Sequence, residues 1–163
     1  MKKILILICL ITSTLVSSQG IRFVDKEYFN ASLAIDPGAT IKDGLNITPQ
    51  IELVSYWKYV KLNAQIMPSL EGGYVDFAGS FGVNLTSGHF NKYRAYTGVR
   101  LGHIRREKYG YPLVGFEAGI DYNLGRNIYL GIRTTADHRY DYKFSGAKPK
   151  MRESGTVVFG TSF

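Results

Sequence analysis

The chain has 163 residues with 20 basic and 13 acidic side chains, which gives a formal charge of +7. This length fits a single domain, and the one cysteine, Cys9, excludes a scaffold held by disulfides. A basic chain can bind nucleic acid, but the sequence contains no nucleotide-binding loop and no nucleic-acid motif, so we expect no nucleic-acid partner.

Residues 1–18 have the pattern of a secretory signal peptide. Lys2 and Lys3 precede an apolar run from Ile4 to about Leu10, and small residues follow at Ser17 and Ser18. The run is shorter than the ~20 residues that a membrane-spanning helix needs. We therefore predict export, with residues 19–163 as the mature domain. Its 18 basic and 13 acidic residues leave a charge of +5.

The mature domain is predicted to be all-β. Polar and apolar residues alternate along it with a period of two, and no stretch shows sustained helical periodicity. In the clearest strand, Val60, Leu62 and Ile66 share one face, while Lys61 and Asn63 share the other. We predict eight strands, at about 27–36, 46–56, 59–67, 74–85, 93–104, 112–122, 127–137 and 153–163.

Alternation alone fits both a soluble β protein and a transmembrane barrel, because each has one apolar face. The aromatic residues favour the barrel. If neighbouring strands run in opposite directions, five aromatics on the apolar face lie at one end of the sheet, as in the girdle of a membrane barrel. They are Phe29, Trp57, Tyr93, Tyr122 and Phe163.

The predicted connections fit the same arrangement. Those at the girdle end are short, around 56–58, 87–91 and 123–127, whereas those at the other end are longer. Short inner turns and longer outer loops are typical of bacterial outer-membrane barrels. The sequence therefore predicts an antiparallel, eight-stranded, up-and-down transmembrane β-barrel.

The C-terminal strand carries the most specific resemblance. With Gly155, Val157, Phe159, Thr161 and Phe163 on one face, it resembles the terminal strand of the small eight-stranded outer-membrane barrels of the OmpA/OmpX type. This resemblance implies an integral outer-membrane location, contact with outer-membrane lipid and lipopolysaccharide, and recognition of the last strand by the barrel-assembly machinery. We also expect a monomer. Pro49 departs from the pattern, because it removes a hydrogen-bond donor from the second strand.

The polar face of the strands carries charges of both signs. Because an eight-stranded barrel is just wide enough for side chains to fill it, we expect these charges to form a paired internal network. For Arg100 the expected partners are Glu117 and Asp121 on the next strand. An ion-conducting path is the alternative. The predicted network comprises Glu52, Lys61, Asp76, Arg94, Arg100, Glu117, Asp121, Arg133 and Asp137.

Catalysis is not expected, although some outer-membrane barrels are lipid A-modifying enzymes or proteases. His89 falls in an inner turn. Asp137 and His138 are adjacent in a strand and therefore point to opposite faces, so they do not form a dyad. His103 lies near the outer end of another strand. The sequence shows no nucleophile elbow and no metal-ligand spacing, and we predict no catalytic, cofactor or metal site.

Positive charge is concentrated in the third and fourth outer loops, interleaved with tyrosines. The sequence thus predicts a structural, surface-interaction or adhesin-like protein whose outer loops bind anionic lipopolysaccharide or glycan. The alternatives are a barrel enzyme, a small channel or, least favoured, a soluble ligand-binding barrel. The basic residues are Arg105, Arg106, Lys108, Arg139, Lys143, Lys148, Lys150 and Arg152.

Overall fold

The computed structural model describes residues 27–67, 73–87, 92–125, 127–146 and 148–163, and the predicted signal peptide lies outside these ranges. Eight antiparallel strands form one closed barrel in which each strand pairs with its sequence neighbours and β1 pairs with β8. The strands are β1 (Tyr28–Ile35), β2 (Ile47–Ser55), β3 (Lys58–Met67), β4 (Tyr74–Ser87), β5 (Tyr93–Arg106), β6 (Tyr109–Asn123), β7 (Ile128–Arg139) and β8 (Lys150–Ser162). The predicted fold is confirmed.

The strands of the second half are longer at their outer ends than the alternation predicted. The β5–β6 ladder continues to the pair Arg106 and Tyr109, which leaves only Glu107 and Lys108 as a turn. Glu107 adopts a positive φ of 50°, as tight hairpin turns require. The predicted third outer loop is therefore a two-residue turn. Similarly, β7 and β8 extend to the pair Arg139 and Lys150.

The first outer connection contains a short helix that the sequence pattern did not predict. Helix α1 (Pro37–Asp43) begins where the side chain of Asp36 accepts a hydrogen bond from the Ala39 amide, at 2.9 Å. Pro37 occupies the first helical position, where its lack of an N–H removes no hydrogen bond from the helix. A 3-10 helix (Asp141–Ser145) lies in the last outer connection. No helix in the described part of the chain is long and apolar enough to cross a membrane.

The barrel is apolar outside and polar inside. Val60, Leu62 and Ile66 are 54%, 55% and 40% exposed, whereas Lys61 and Asn63, which alternate with them, are buried. A soluble ligand-binding barrel requires the reverse orientation, so that alternative is wrong.

Pro49 disturbs one side of its strand only. The pairing of β2 with β1 is continuous through Pro49, but the pairing with β3 omits Thr48 and Pro49 and resumes at Gln50. Because the ladder regains the same register beyond the gap, the missing proline donor interrupts the sheet locally without changing the barrel.

Candidate functional site: the barrel interior and the outer rim

The inner half of the lumen holds a chain of alternating charges centred on Arg94. Its guanidinium contacts Glu52 at 2.7 Å and Asp121 at 2.8 Å. Lys61 lies 3.6 Å from Glu52 and 3.0 Å from Glu117, so it joins two carboxylates. All of these side chains are buried. Each charge therefore has an opposite charge beside it, which offsets the cost of removing it from water.

Neutral side chains and one further cation complete this layer. The Tyr59 hydroxyl donates to Glu117 at 2.8 Å, and Arg133 lies 4.0 Å from the same carboxylate. Arg133 also donates to Gln50 at 2.5 Å. A Cβ on Gly119 would come within 2.5 Å of the Tyr96 ring. The ring therefore occupies the space beside Gly119 that the side chain of any other residue would fill. The inner lumen is consequently filled by side chains.

Arg100 organises a second layer toward the outer end. It donates to the carboxylate of Asp137, to Asn63 at 3.0 Å and to Asp76 at 3.3 Å. The Tyr74 hydroxyl donates to Asp76 at 2.6 Å. The structure places all nine predicted lumen charges inside the barrel, but they divide into these two layers.

The predicted partners of Arg100 are wrong. On the next strand its ladder neighbour is Gly115, which has no side chain, and the Asp137 carboxylate occupies that space. A Cβ on Gly115 would lie 2.2 Å from an oxygen of Asp137. Arg100 therefore reaches past β6 to β7. Glu117 and Asp121 pair instead with Lys61 and Arg94.

Apolar clusters border the charged layers, and they were not among the predicted features of the interior. Toward the outer end, Met67, Tyr74, Ala78, Ile104 and Leu113 pack together inside the barrel. Toward the inner end, Tyr28 packs against a cluster of Val54, Tyr59 and Tyr96. Their inward orientation could have been read from strand parity, since Ile104 and Leu113 share parity with buried charged residues of their own strands.

Two residues assigned to the basic outer loops are inside the barrel, so that part of the prediction is wrong. Arg139 is 3% exposed and donates twice to Asp141, each time at 2.7 Å. Arg106 is buried, and its guanidinium lies 5.7 Å from the centre of the Tyr74 ring. Because β5 and β7 continue to these positions, both side chains take the inward parity of the strand.

Including these residues changes the charge balance of the lumen. Arg106, Arg139 and Asp141 join the nine predicted charges to give six basic and six acidic side chains, all of them buried. The interior formed by this set has no formal net charge. The predicted balance of four basic against five acidic residues is incomplete, because β5 and β7 continue beyond their predicted ends.

The other six basic residues lie on the outer rim. Arg105, Lys108, Lys143, Lys148 and Lys150 are exposed, and Arg152 is half-buried. Lys150 contacts the Tyr142 ring at 4.7 Å. Among the described residues of the same connections and strand ends, the exposed acidic residues are Glu107 and Glu153. The rim is therefore basic, with less charge than the sequence predicted.

The predicted aromatic girdle forms a set of outward-facing contacts at the opposite end. Phe29 and Phe163 exchange two backbone hydrogen bonds, and their rings lie 6.4 Å apart. The rings of Tyr93 and Tyr122 are 5.1 Å apart, and Trp57 lies in the turn between β2 and β3. Lysines accompany the rings, with Lys58 4.5 Å from Trp57 and Lys92 5.3 Å from Tyr122.

The two described histidines, His103 and His138, do not point into the lumen with the internal carboxylates. Asp137 points into the lumen, whereas His138 is partly exposed and contacts the Tyr140 ring at 4.6 Å. His103 is exposed on β5, and His89 lies outside the described residues. Among the residues that the structure describes, no group of three or more histidine, cysteine or acidic side chains is arranged to hold a metal ion.

A closed barrel with an apolar exterior and a charge-filled lumen defines the class of small membrane-spanning β-barrels. Among solved structures, the chain is similar to the Yersinia pestis outer membrane protein Ail in a phospholipid bilayer nanodisc. The two share 10% identity over 85% of this chain and 100% of that chain, with a TM-score of 0.52.

Neisserial surface protein A (NspA) is similar at 12% identity, over 83% of this chain and 95% of that chain, with a TM-score of 0.49. No protein family and no curated protein matches the sequence. The likeness to Ail shows the fold, and it confirms the predicted resemblance to small eight-stranded outer-membrane barrels.

Proposed function

We propose that this chain is an integral outer-membrane barrel with a surface-interaction role and no enzymatic activity. The observation that carries the proposal is the exposed apolar exterior. Large side chains such as Leu62, Phe77, Phe116, Ile132 and Phe159 are each more than half exposed. A water-soluble monomer rarely exposes apolar patches of more than a few hundred Å², whereas the lipid-facing band of a membrane barrel consists of such residues.

The packed lumen supports a structural role for the interior and disfavours a channel. Ion pairs fill the middle of the barrel, and inward-facing apolar clusters lie toward both of its ends. A conducting pore needs a continuous polar path. The separate placement of Asp137 and His138 likewise gives no support to a barrel enzyme. Function is therefore assigned to the outer rim.

The six basic residues of the rim suit an anionic surface, such as lipopolysaccharide phosphates or an acidic glycan. Exposed charges act together over about a Debye length, ~8 Å at physiological salt. The hairpin turn of β5–β6 and the β7–β8 connection are neighbours in the barrel, and the exposed Tyr109 adds apolar contact area. A basic cluster on neighbouring hairpins can thus bind an anionic surface more strongly than scattered charges can.

The proposal includes export through residues 1–18, recognition of the last strand by the barrel-assembly machinery, and a monomeric state. Phe163 is 73% exposed at the end of β8 and paired to Phe29, so its side chain is available outside the closed barrel.

Membrane fractionation tests the location. The folded protein should occur in the outer-membrane fraction and should migrate differently on gels before and after boiling, because a closed barrel retains its hydrogen-bonded ladder in detergent. Recovery as a soluble periplasmic protein would contradict the proposed location.

Binding to purified lipopolysaccharide tests the role of the rim. Changing Lys143, Lys148, Lys150 and Arg152 to Gln should weaken binding, and so should added salt. A matched control changes Lys58 and Lys92, at the opposite end of the barrel, to Gln and should leave binding unaltered. Equal binding by both sets of variants, with no salt dependence, would show that the rim is only solvated.

A further inference from the structure

A groove opens on the outer surface of the barrel at its girdle end, beside the turn between β6 and β7. It has a volume of about 530 Å³, which falls in the ~300–1,000 Å³ range of ligand pockets. The described residues that line it are Leu124, Gly125, Asn127, Ile128 and Phe159. All five are exposed, so the groove opens toward the surroundings of the barrel and not toward its lumen.

The sizes of the outward-facing side chains explain why the surface dips here. Along β8 the outward parity gives Phe159, Thr161 and Phe163, and the short Thr161 is the ladder partner of Ile128. On its other side Thr161 pairs with Ala31, which is also small. A row of short side chains therefore separates Phe159 from Phe163, and the surface is lower along that row.

Backbone hydrogen bonds fix the turn that forms one wall of the groove. The Leu124 amide donates to the Ile128 carbonyl at 2.9 Å, and the Ser162 amide donates to the Asn127 carbonyl at 2.8 Å. The turn is thus tied to β8 as well as to β7, and the groove is part of the barrel wall.

A lysine lies near the groove at the boundary of the apolar band. The ammonium of Lys92 is 5.3 Å from the centre of the Tyr122 ring, and the Lys92 carbonyl accepts a hydrogen bond from the Asn123 amide at 2.9 Å. Leu124 is two residues beyond Tyr122, which corresponds to ~7 Å of extended chain. Lys92 is exposed. An exposed cation near an apolar groove suits an amphipathic ligand with an anionic head.

We propose that this groove binds one phospholipid of the inner leaflet, with an acyl chain in the groove and the phosphate beside Lys92. The inference rests on the proposed outer-membrane location, which places the girdle end in that leaflet. The groove is continuous with the apolar exterior, so hydrocarbon is what reaches it. A dip that stays unfilled loses dispersion contacts on one side, and a chain that enters it restores them.

Packing and charge distinguish this phospholipid from the rest of the bilayer. Lipid tails are as apolar as the walls of the groove, so covering the walls favours no particular lipid. A chain that lies in the groove contacts Phe159 and Ile128 together, and a lysine near the membrane surface attracts an anionic headgroup. A second barrel presents a convex wall, which fits the dip less well than a single chain does.

Photolabelling in phospholipid nanodiscs tests the site, with a phosphatidylglycerol that carries a diazirine near the glycerol end of one acyl chain as the probe. Adducts mapped by mass spectrometry should be several-fold more abundant on Ile128 and Phe159 than on Leu53. Leu53 is a fair control because it is 53% exposed and pairs with the girdle residue Phe29. Equal labelling would show that the groove is ordinary lipid-facing surface and would overturn the inference.

Two variants test the groove and the cation separately. A Cβ on Gly125 would have no atom within 4 Å, so Gly125→Phe should fold while filling the groove, and labelling should fall to the level of Leu53. Gly155→Phe, also in open space, is the matched control. Lys92→Gln should weaken labelling by about fivefold at limiting probe, whereas Lys58→Gln should not. Undiminished labelling in either Gly125→Phe or Lys92→Gln would overturn the proposal.

Gel migration before and after boiling separates this inference from the proposed location. A heat-modifiable barrel that is labelled uniformly refutes the lipid site alone, whereas a protein that does not insert into nanodiscs refutes the location. Labelling of Ile128 that disappears when two copies share one nanodisc would assign the groove to a second copy and would overturn the proposal.

Discussion

Changing Arg100 to Met is expected to destabilise the barrel strongly. Arg100 is 2% exposed and donates to Asp137, Asp76 and Asn63. Methionine preserves much of the side-chain volume but leaves two buried carboxylates without their cation. Breaking a buried ion pair by removing one partner costs about 3–5 kcal/mol. We expect a loss of that size in the free energy of unfolding.

Urea unfolding in detergent micelles measures this loss, followed by the fluorescence of Trp57, the only tryptophan in the chain. The matched control is Arg105→Met on the same strand. Arg105 is exposed at the outer rim, and the loss of an exposed charge should cost less than about 1 kcal/mol. Adding Asp137→Asn to Arg100→Met should recover part of the lost stability, because one of the unpaired charges is then removed. Equal stability of the two single variants would refute the account of the network.

Three further predictions follow from the packing. Gly115→Ala should lower the melting temperature, because the new methyl group would lie 2.2 Å from a carboxylate oxygen of Asp137. Gly155→Ala should not lower it, because its methyl group would have no atom within 4 Å. Equal melting temperatures for the two variants would contradict this prediction. Phe159→Asn on the outer face, or deletion of Phe163, should reduce the yield of heat-modifiable barrel in membranes more than Ser162→Asn does, and equal yields would contradict the assignment of faces. Planar-bilayer recordings should show no steady conductance, and reproducible single-channel steps would show that the lumen is open.

Much of the fold could be predicted because one physical rule applies along every strand. Inside the apolar band, alternate residues must face either a hydrocarbon-like exterior or a filled lumen, so the pattern in β3 assigns Leu62 and Lys61 to opposite faces without ambiguity. With neighbouring strands running in opposite directions, the aromatic residues gathered at one end then favoured a membrane barrel over a soluble β protein.

Beyond the apolar band the same rule loses its information. At the outer ends of β5 and β7, polar residues occur on both faces of the strand. The alternation therefore does not distinguish the inward-facing Arg106 from the exposed Arg105, and the sequence of a continuing strand looks like that of a loop.

The partner of Arg100 was missed for a different reason. Cross-strand neighbours are predictable from register, but in a narrow barrel a glycine lets a long side chain reach the strand after next, as Gly115 does here.

The equal numbers of basic and acidic side chains inside the lumen determine where the net charge of the chain lies. Because the six basic and six acidic internal side chains cancel, the +5 of residues 19–163 is carried by other parts of the chain. Six of those basic residues lie on the outer rim in water, where salt screens them, whereas the internal pairs are shielded from salt by burial. Raising the ionic strength should therefore weaken binding of an anionic surface while the urea midpoint of the barrel stays nearly constant. Salt thus separates the charges that hold the fold from those that are available to a partner.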